Sequence, residues 1–274
     1  MVTWASRAGT LRRRLVGQSA VVLVLAHRGS PTPSRPENTV AAVAAALDGG
    51  ADGVEIDVRL TADGILVCSH DPDLLRLAGT PLPVAGVTAR VLRGNPLAGG
   101  HLTATLAEVL AAARVRGRPR VIVEAKPTGS EVLGVSTAEA LHRLLAGAAR
   151  GLDLAVSSFD PVLLGRIRRQ LAGTAIRTAL IGRPSDPATT VLRATLEGGH
   201  DELHAHVRSV RADPDVVAIA QRLGVSITCW TVNRRAHAQL LRQLGVDAVI
   251  TDRPLTVASG TLAERWAMRA RARA

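Results

Sequence analysis

Aromatic residues are scarce in this sequence, which contains no tyrosine, one phenylalanine and three tryptophans in 274 residues. Proteins that bind single-stranded nucleic acid stack the bases on aromatic side chains set among basic ones. No run of this kind is present, so we do not expect a nucleic-acid partner. The core must therefore be built from valine, leucine, isoleucine and alanine. Lysine is almost absent too, which makes Lys126, inside a motif, more informative than a lysine usually is.

Cysteine is also rare. Cys68 and Cys229 both lie in apolar runs typical of strands, which predicts two buried thiols rather than a disulfide framework. No apolar run is long enough to span a bilayer, and we expect no stable membrane insertion. The N-terminus carries a basic cluster and an apolar run like those of a weak signal sequence. Cleavage after Ala26 would separate His27 from its strand, so we expect a cytoplasmic protein instead.

Length and charge favour a single domain that binds small anions. A chain of 274 residues with 47% hydrophobic content fits one sizeable α/β domain better than two small ones. The formal net charge of +11 attracts anionic substrates, above all phosphate esters. We place the domain at residues 21–258, between a basic N-terminal extension at residues 1–20 and a basic helical tail at residues 259–274. The sequence predicts no particular oligomeric state.

Apolar runs typical of strands alternate with helical patterns along this domain. The predicted strands are residues 21–26, the run that begins at 54, and residues 120–125, 154–159, 176–181, 202–207, 225–230 and 248–251. The predicted helices are residues 37–47, 106–116, 137–150, 161–171, 188–196, 214–223 and 234–244. Such alternation implies a parallel sheet, and eight strands fit a closed (β/α)₈ TIM-type barrel. Residues 65–69 form a ninth run, either the return arm of a hairpin or an added element of the barrel wall. Residues 72–104 then form a short, irregular insertion.

The stretch at residues 54–71, VEIDVRLTADGILVCSHD, carries the densest chemistry. Glu55 and Asp57 share one face of a strand, where two like charges repel unless a cation lies between them. The turn at residues 62–64 predicts a hairpin, and a hairpin centred on its first two residues would place His70 opposite Glu55. This arrangement indicates a divalent-metal site with an acid/base group beside it. The alternative is a solvated edge that merely carries acids and a histidine.

A third carboxylate and a lysine repeat the same spacing at the end of a later strand. Glu124 and Lys126 are two residues apart, and active sites of this barrel class lie at the C-terminal ends of the strands. Together with Glu55 and Asp57, Glu124 can hold a hard cation, with water and a substrate oxygen completing the shell. A plain ion pair between Glu124 and Lys126 is the alternative. His204 and His206 share a face of the predicted strand at residues 202–207, which gives a second metal site as a further alternative.

Other strand ends offer groups for proton transfer and phosphate binding. His27 and His70 can act as general base and general acid, and we expect His70 to protonate the leaving group. Arg28 and Lys126 can neutralise a phosphate, the arginine through its bidentate fork. Trp230 either lines the site or fills space in the core, and the sequence favours the two positions about equally.

Taken together, the motifs resemble the glycerophosphodiester phosphodiesterase family over roughly residues 24–254. In chain order they read AHRG, PENT, VEIDVRLTADGILVCSHD, VEAK, SSF, CWTVN and ITDRP. The resemblance implies a TIM-type barrel that hydrolyses glycerophosphodiesters to an alcohol and glycerol phosphate, with water or the glycerol 2-hydroxyl as nucleophile. It also implies the following roles: Glu55, Asp57 and Glu124 bind one divalent ion, Ca²⁺ or Mg²⁺; His27 and His70 form the acid/base pair; and Arg28 and Lys126 hold the phosphate.

The sequence departs from the family pattern in the insertion. The threonines that usually follow the arginine are absent after Arg76, and Ala104 replaces a proline. These changes leave the preferred glycerophosphodiester open. Two other functions remain as alternatives. A phospholipase of the same barrel type, cleaving phosphatidylinositol or sphingomyelin, would need an apolar rim that docks on membranes. A non-catalytic phosphate-binding module would be expected to lose a carboxylate or a histidine of the site.

Overall fold

Eight parallel strands close into a barrel in the computed structural model, which describes residues 22–148 and 151–257. In chain order the strands are β1 Leu23–His27, β2 Gly53–Leu60, β3 Leu66–Cys68, β4 Arg120–Ala125, β5 Asp153–Ser158, β6 Arg177–Ile181, β7 Glu202–His206, β8 Ser226–Trp230 and β9 Ala248–Thr251. The barrel closes because β1 pairs in parallel with both β9 and β2. Among the strands of the described ranges, β3 pairs only with β2 and runs antiparallel to it, and Val67 of β3 also forms an isolated bridge with Thr105. The predicted TIM-type barrel is confirmed, and the ninth run is the return arm of a hairpin.

Helices follow most strands and cover the outside of the barrel. They are α1 Val40–Asp48, α2 Leu75–Ala78, α3 Ala89–Arg93, α4 Leu106–Arg114, α5 Glu131–Ala148, α6 Pro161–Gln170, α7 Ala188–Glu197, α8 Val207–Ala212, α9 Asp215–Arg222, α10 Arg235–Leu244 and α11 Pro254–Val257. All seven predicted helices are present. The prediction missed α8, because Val207 reads as a strand residue while the ring of His206 caps the helix by accepting a hydrogen bond from the amide of Arg208. None of the helices in the described ranges has the length and apolar character needed to cross a bilayer.

The inner face of the barrel changes from apolar to polar along the strands. Leu25, Ile122, Ala155 and Ile250 are buried together inside the barrel. Because side chains two residues apart in a strand share a face, the residues that follow them on that face are His27, Glu124, Ser157 and Asp252. The outward-facing side chains of β2, by contrast, pack with the helices in the largest core cluster. The interior of the barrel therefore has an apolar layer, and polar groups follow it at the C-terminal ends of the strands.

A buried ion network lies at the opposite end, where the strands begin. The carboxylate of Glu202 is fully buried, with Nη2 of Arg120 at 2.5 Å and Nη1 of Arg177 at 3.2 Å. Nε2 of His204 lies 3.2 Å from the same carboxylate. Burial alone would raise the pKa of Glu202, but Arg120 and its other partners hold that pKa well below its usual range. These charges are paired inside the barrel, so the loss of one would leave the others uncompensated.

The hairpin of β2 and β3 corrects one sequence prediction. Val58 lies opposite Cys68, and the amide of Ser69 donates to the carbonyl of Asp57 over 3.1 Å, so His70 does not face Glu55. The loop has three residues and ends in Gly64, whose φ is +76°. A three-residue loop of this kind, with its last residue in the left-handed region, moves the register by one position from the predicted two-residue turn.

The insertion at residues 72–104 is more ordered than predicted. It contains α2, α3 and two short 3₁₀ turns, Val84–Gly86 and Ala98–Gly100. Its apolar residues pack against Val67 of β3 and form a small core there: Leu74, Val84, Ala89, Leu92 and Leu97. The insertion is therefore a compact cap anchored on the hairpin rather than an irregular excursion. The terminal extensions predicted at residues 1–20 and 259–274 lie outside the described residues.

Candidate active site

Three carboxylates meet inside the barrel near the C-terminal ends of β2 and β4. Strand alternation turns Glu55 and Asp57 inward, and the pairing of β2 with β4 sets Asp57 beside Glu124. One oxygen of each carboxylate lies within 4.8 Å of the others, and all three side chains are buried. In the described ranges, no other cluster of three or more acidic, histidine or cysteine ligands meets this geometry. The second metal site at His204 is therefore not formed, and the ring of that residue bonds to Glu202 instead.

The charge state of this cluster favours a bound cation. Burial, together with the neighbouring charge of Asp57, raises the pKa of Glu55 to about 8. Burial and Asp57 also raise the pKa of Glu124. Oε1 of Glu55 is buried without any hydrogen-bond partner among the described residues. The negative charge of the three acids is incompletely neutralised by their neighbours, and Oε1 of Glu55 is available as a ligand. Such a cluster fits the oxygen-rich site that Ca²⁺ or Mg²⁺ requires.

Two side-chain cations flank the cluster. Nζ of Lys126 lies 2.7 Å from Oδ1 of Asp57 and 2.5 Å from Oε1 of Glu124, so the ion pair given above as the alternative is present but shared by two acids. Nε of Arg28 lies 3.1 Å from Oδ2 of Asp57. Burial alone would raise the pKa of Asp57, but Lys126 and Arg28 outweigh it and lower that pKa. Asp57 is therefore the ionised member around which the cations gather.

The ring of His27 contacts a carboxylate that follows the last strand of the barrel. Its Nδ1 lies 2.6 Å from Oδ1 of Asp252, and the side-chain amide of Asn233 donates to the other oxygen of Asp252 over 2.6 Å. The opposite ring nitrogen, Nε2, lies 3.8 Å from Glu55. Burial alone would lower the pKa of His27, but the bond to Asp252 and the charge of Glu55 outweigh it, so the pKa is raised.

His70 has a carboxylate partner as well, in the next residue. Its Nδ1 lies 2.7 Å from Oδ1 of Asp71. Here burial prevails over the bond to Asp71, and the pKa of His70 is lowered. The two imidazoles are thus oriented in the same manner, through Nδ1, yet their pKa values move in opposite directions.

These groups surround one cavity of about 330 Å³. Its lining residues are His27, Arg28, Glu55, His70, Glu124, Lys126, Ser157, Phe159, Ile181, His204, Trp230, Thr231 and Ile250. Seven of the eight predicted site residues are among them, and the eighth, Asp57, is buried in contact with two of them. Trp230 is a wall of the cavity, and the ring of Phe159 packs edge-on against it with centroids 5.4 Å apart.

Several residues of the site had no predicted role. Asp71 and Asp252 stood at strand ends in the sequence, but their contacts with the histidines appear only in three dimensions. Asn38 holds Asp57 through two hydrogen bonds of 2.8 and 3.0 Å, and Glu37 accepts one of 2.9 Å from Arg28. Both belong to the motif PENT, which was the signal that could have pointed to them.

Comparisons with known proteins identify the family of this chain. A model of the glycerophosphoryl diester phosphodiesterase family matches residues 27–256. The chain is 32% identical to a probable glycerophosphodiester phosphodiesterase of Mycobacterium tuberculosis, over 92% of this chain and 94% of that one. It is 28% identical to a glycerophosphodiester phosphodiesterase of Caldanaerobacter subterraneus, over 86% and 96% of the two chains.

A solved structure is similar as well. It is a phosphodiesterase of Oleispira antarctica in complex with the product sn-glycerol-3-phosphate, which is 26% identical and superposes with a TM-score of 0.74. The match covers 86% of this chain and 94% of that one. Fold, motifs and relatives agree over nearly the whole described chain. The chain therefore belongs to the glycerophosphoryl diester phosphodiesterase family and is an enzyme that hydrolyses glycerophosphodiesters.

Proposed function

We propose that this hydrolysis depends on one divalent cation, Ca²⁺ or Mg²⁺, held by Glu55, Asp57 and Glu124, and that its products are an alcohol and glycerol 3-phosphate. The observation that carries the proposal is the unpartnered, buried oxygen of Glu55 within a cluster of three acids. When bound, such a cation withdraws charge from the phosphodiester and lowers the barrier to its cleavage. The remaining steps fall to side chains that line the same cavity.

Arg28 and Lys126 are assigned to the phosphate. Both cations lie on the cavity wall, and both are held there by ion pairs to Asp57. Burial would lower the pKa of Lys126, but Asp57 and Glu124 outweigh it and raise that pKa, so the ammonium stays charged. Fixed positive charges beside the reacting phosphate stabilise the charge that develops on its oxygens. Trp230 bounds the space that remains for the rest of the substrate.

His27 and His70 are assigned to proton transfer. A carboxylate on Nδ1 fixes the tautomer and leaves Nε2 to exchange a proton with substrate. The pKa of His27 is raised, which favours this residue as the general acid. The pKa of His70 is lowered, which favours it as the general base. This is the reverse of the assignment expected from the sequence. A substrate with a p-nitrophenolate leaving group, which departs without protonation, should rescue His27→Ala and not His70→Ala; rescue of His70→Ala alone would restore the earlier assignment.

The metal assignment is tested by removing one ligand at a time. Glu55→Gln, Asp57→Asn and Glu124→Gln should each weaken cation binding and nearly abolish turnover, because a hard cation would lose one of three charges. Hydrolysis of glycerophosphodiesters is measured with and without EDTA, and Glu131→Gln, which removes a surface acid paired with Arg166, serves as control. Full activity in all three variants, or EDTA-resistant turnover, would refute the metal assignment.

The same assay separates the two alternative functions. Vesicles of phosphatidylinositol or sphingomyelin are offered beside soluble glycerophosphodiesters. The insertion exposes Leu75, Val91 and Leu102 as single aliphatic side chains, and it contains no aromatic residue that could anchor it in a membrane. We therefore expect turnover of the soluble esters and little of the vesicles. The opposite result would favour the phospholipase, and cation binding without turnover of either would favour a binding module.

A further inference from the structure

One side chain of the insertion contacts two separate carboxylates, each of which bonds to a residue that lines the cavity. Nε of Arg76, on α2, lies 2.6 Å from Oδ2 of Asp71. Its two terminal nitrogens lie 2.6 and 3.2 Å from the two oxygens of Glu37. A single guanidinium thus uses its three nitrogens on two acids that are 34 positions apart in the chain.

Each of these acids holds a different group of the proposed site. Asp71 lies 2.7 Å from Nδ1 of His70, through the oxygen that Arg76 Nε does not contact. Glu37 accepts a hydrogen bond of 2.9 Å from Nη1 of Arg28. The contacts therefore form one continuous chain from His70 to Arg28, and Arg76 is its central link.

We propose that Arg76 is a positioning residue that fixes the orientation of His70 and Arg28 together, so that proton transfer and phosphate binding are aligned by one side chain. This inference rests on the proposed function. The planar guanidinium of an arginine carries its donors in a rigid fork, so it can hold two carboxylates in a more fixed geometry than the flexible ammonium of a lysine. A misplacement of about 1 Å at reacting groups can cost roughly 10²-fold in rate.

The environment of the two acids agrees with this role. Burial alone would raise the pKa of Glu37, but Arg76 and Arg28 outweigh it and lower that pKa. Without Arg76, Glu37 would keep its bond to Arg28 and Asp71 would keep its bond to His70, but the guanidinium that joins the two pairs would be gone. The position of Arg76 is set in turn by Leu74, which precedes α2 and is buried in the core of the insertion. The insertion is thus coupled to both proposed functional groups through one residue.

The test compares Arg76 with a second arginine of the same insertion. Arg93, on α3, makes an equally bidentate pair with Glu108, at 2.8 and 3.0 Å, outside the cavity lining. Arg76→Met and Arg93→Met therefore both release an ion pair of the insertion, but only the first touches the chain of contacts described above. We expect Arg76→Met to lower kcat/KM by ~10–100-fold, through both a lower kcat and a higher KM. The kcat/KM of Arg93→Met should stay within about threefold of the parent value. The two variants should change the melting temperature by similar amounts.

A conservative variant and a double mutant sharpen the result. Arg76→Lys should recover part of the loss, because one acid regains a cation. Arg76→Met combined with Glu37→Gln should lose less than the product of the two single effects, because both changes break the same chain of contacts. The inference is overturned if Arg76→Met behaves like Arg93→Met, if only KM changes, or if the effects of Arg76 and Glu37 multiply independently. A parent protein that turns over no glycerophosphodiester would overturn the proposed function itself, and this inference with it.

Discussion

Cation binding should release about one proton at pH 7, because one of the three proposed ligands carries a proton in the metal-free protein. The pKa of Glu55 is raised to about 8 by burial and by Asp57, so roughly nine-tenths of the molecules hold that proton at pH 7. A carboxylate must lose its proton to coordinate a cation. Affinity should therefore rise about tenfold per pH unit between pH 6 and 7, which is ~1.4 kcal/mol of binding free energy, and level off above about pH 8.

The assay is titration calorimetry with Ca²⁺ or Mg²⁺ in several buffers that differ in ionisation enthalpy. The slope of the observed enthalpy against the buffer enthalpy gives the number of protons released. Glu55→Gln lacks this proton and should bind more weakly, with affinity that varies less with pH than that of the parent. Binding by the parent that releases no proton and does not change from pH 6 to pH 8 would refute the assignment of Glu55 as a protonated ligand.

The same protonation has a consequence for stability that can be measured separately. Since the pKa of Glu55 is higher in the folded than in the unfolded protein, the contribution of this residue to folding is present below about pH 4.3, the unfolded value, and is lost as the pH rises towards about 8. Metal-free Glu55→Gln should therefore gain in melting temperature relative to the parent between pH 6 and pH 8. Saturating cation should abolish this gain, since the ligand is then ionised and paired.

Three further predictions follow from contacts inside the barrel. Asp252→Asn should lower kcat by ~10²–10⁴-fold while cation affinity is kept, because His27 loses the acceptor that fixes its tautomer; an unchanged kcat would contradict this role. Glu202→Gln should lower the free energy of unfolding by ~3–5 kcal/mol at neutral pH. Because the folded pKa of Glu202 is depressed, this difference should shrink as the pH falls below about 4.3, which urea titrations at pH 7 and at about pH 3 would reveal. Finally, kcat/KM for glycerophosphocholine should exceed that for glycerophosphoethanolamine, glycerophosphoglycerol and glycerophosphoinositol by less than ~30-fold, or about 2 kcal/mol. The reason is that the cavity is lined by two aromatic rings, those of Phe159 and Trp230, and two rings do not form a cage for a quaternary ammonium. A larger preference for the choline ester would contradict this interpretation of the cavity.

The barrel could be predicted because its signals are local. Each buried strand is a short apolar run, and each amphipathic helix has its own periodicity, so the order of elements is legible without knowledge of any contact. The bounds of β4 and β9 were predicted to the residue, since each has a short apolar centre rich in valine and isoleucine. Helix α5 begins at Glu131, six residues before its prediction, because Val132, Gly134 and Val135 are weak helix formers and gave no helical signal in the sequence.

The candidate site could be predicted only as a set of strand ends. The spacing of Glu55 and Asp57 fixes their shared face, but the partner of His27 lies 225 positions away, and no local pattern connects the two. The register of the hairpin depended on whether the turn has two or three residues, a choice that rests on the conformation of Gly64 rather than on its identity alone. The core of the insertion was missed because its apolar residues follow no helical or strand period.

The bond between His27 and Asp252 joins the first strand of the barrel to the segment just after the last one. During synthesis on the ribosome, a nascent chain that has reached Lys126 already contains the three acids and both histidines. It still lacks the carboxylate that orients His27, and β1 still lacks its neighbour β9. The full arrangement can therefore form only when the end of the domain has emerged and the barrel has closed. A chain cut short before Asp252 would keep every proposed metal ligand, yet its first histidine would be left without the carboxylate that holds it.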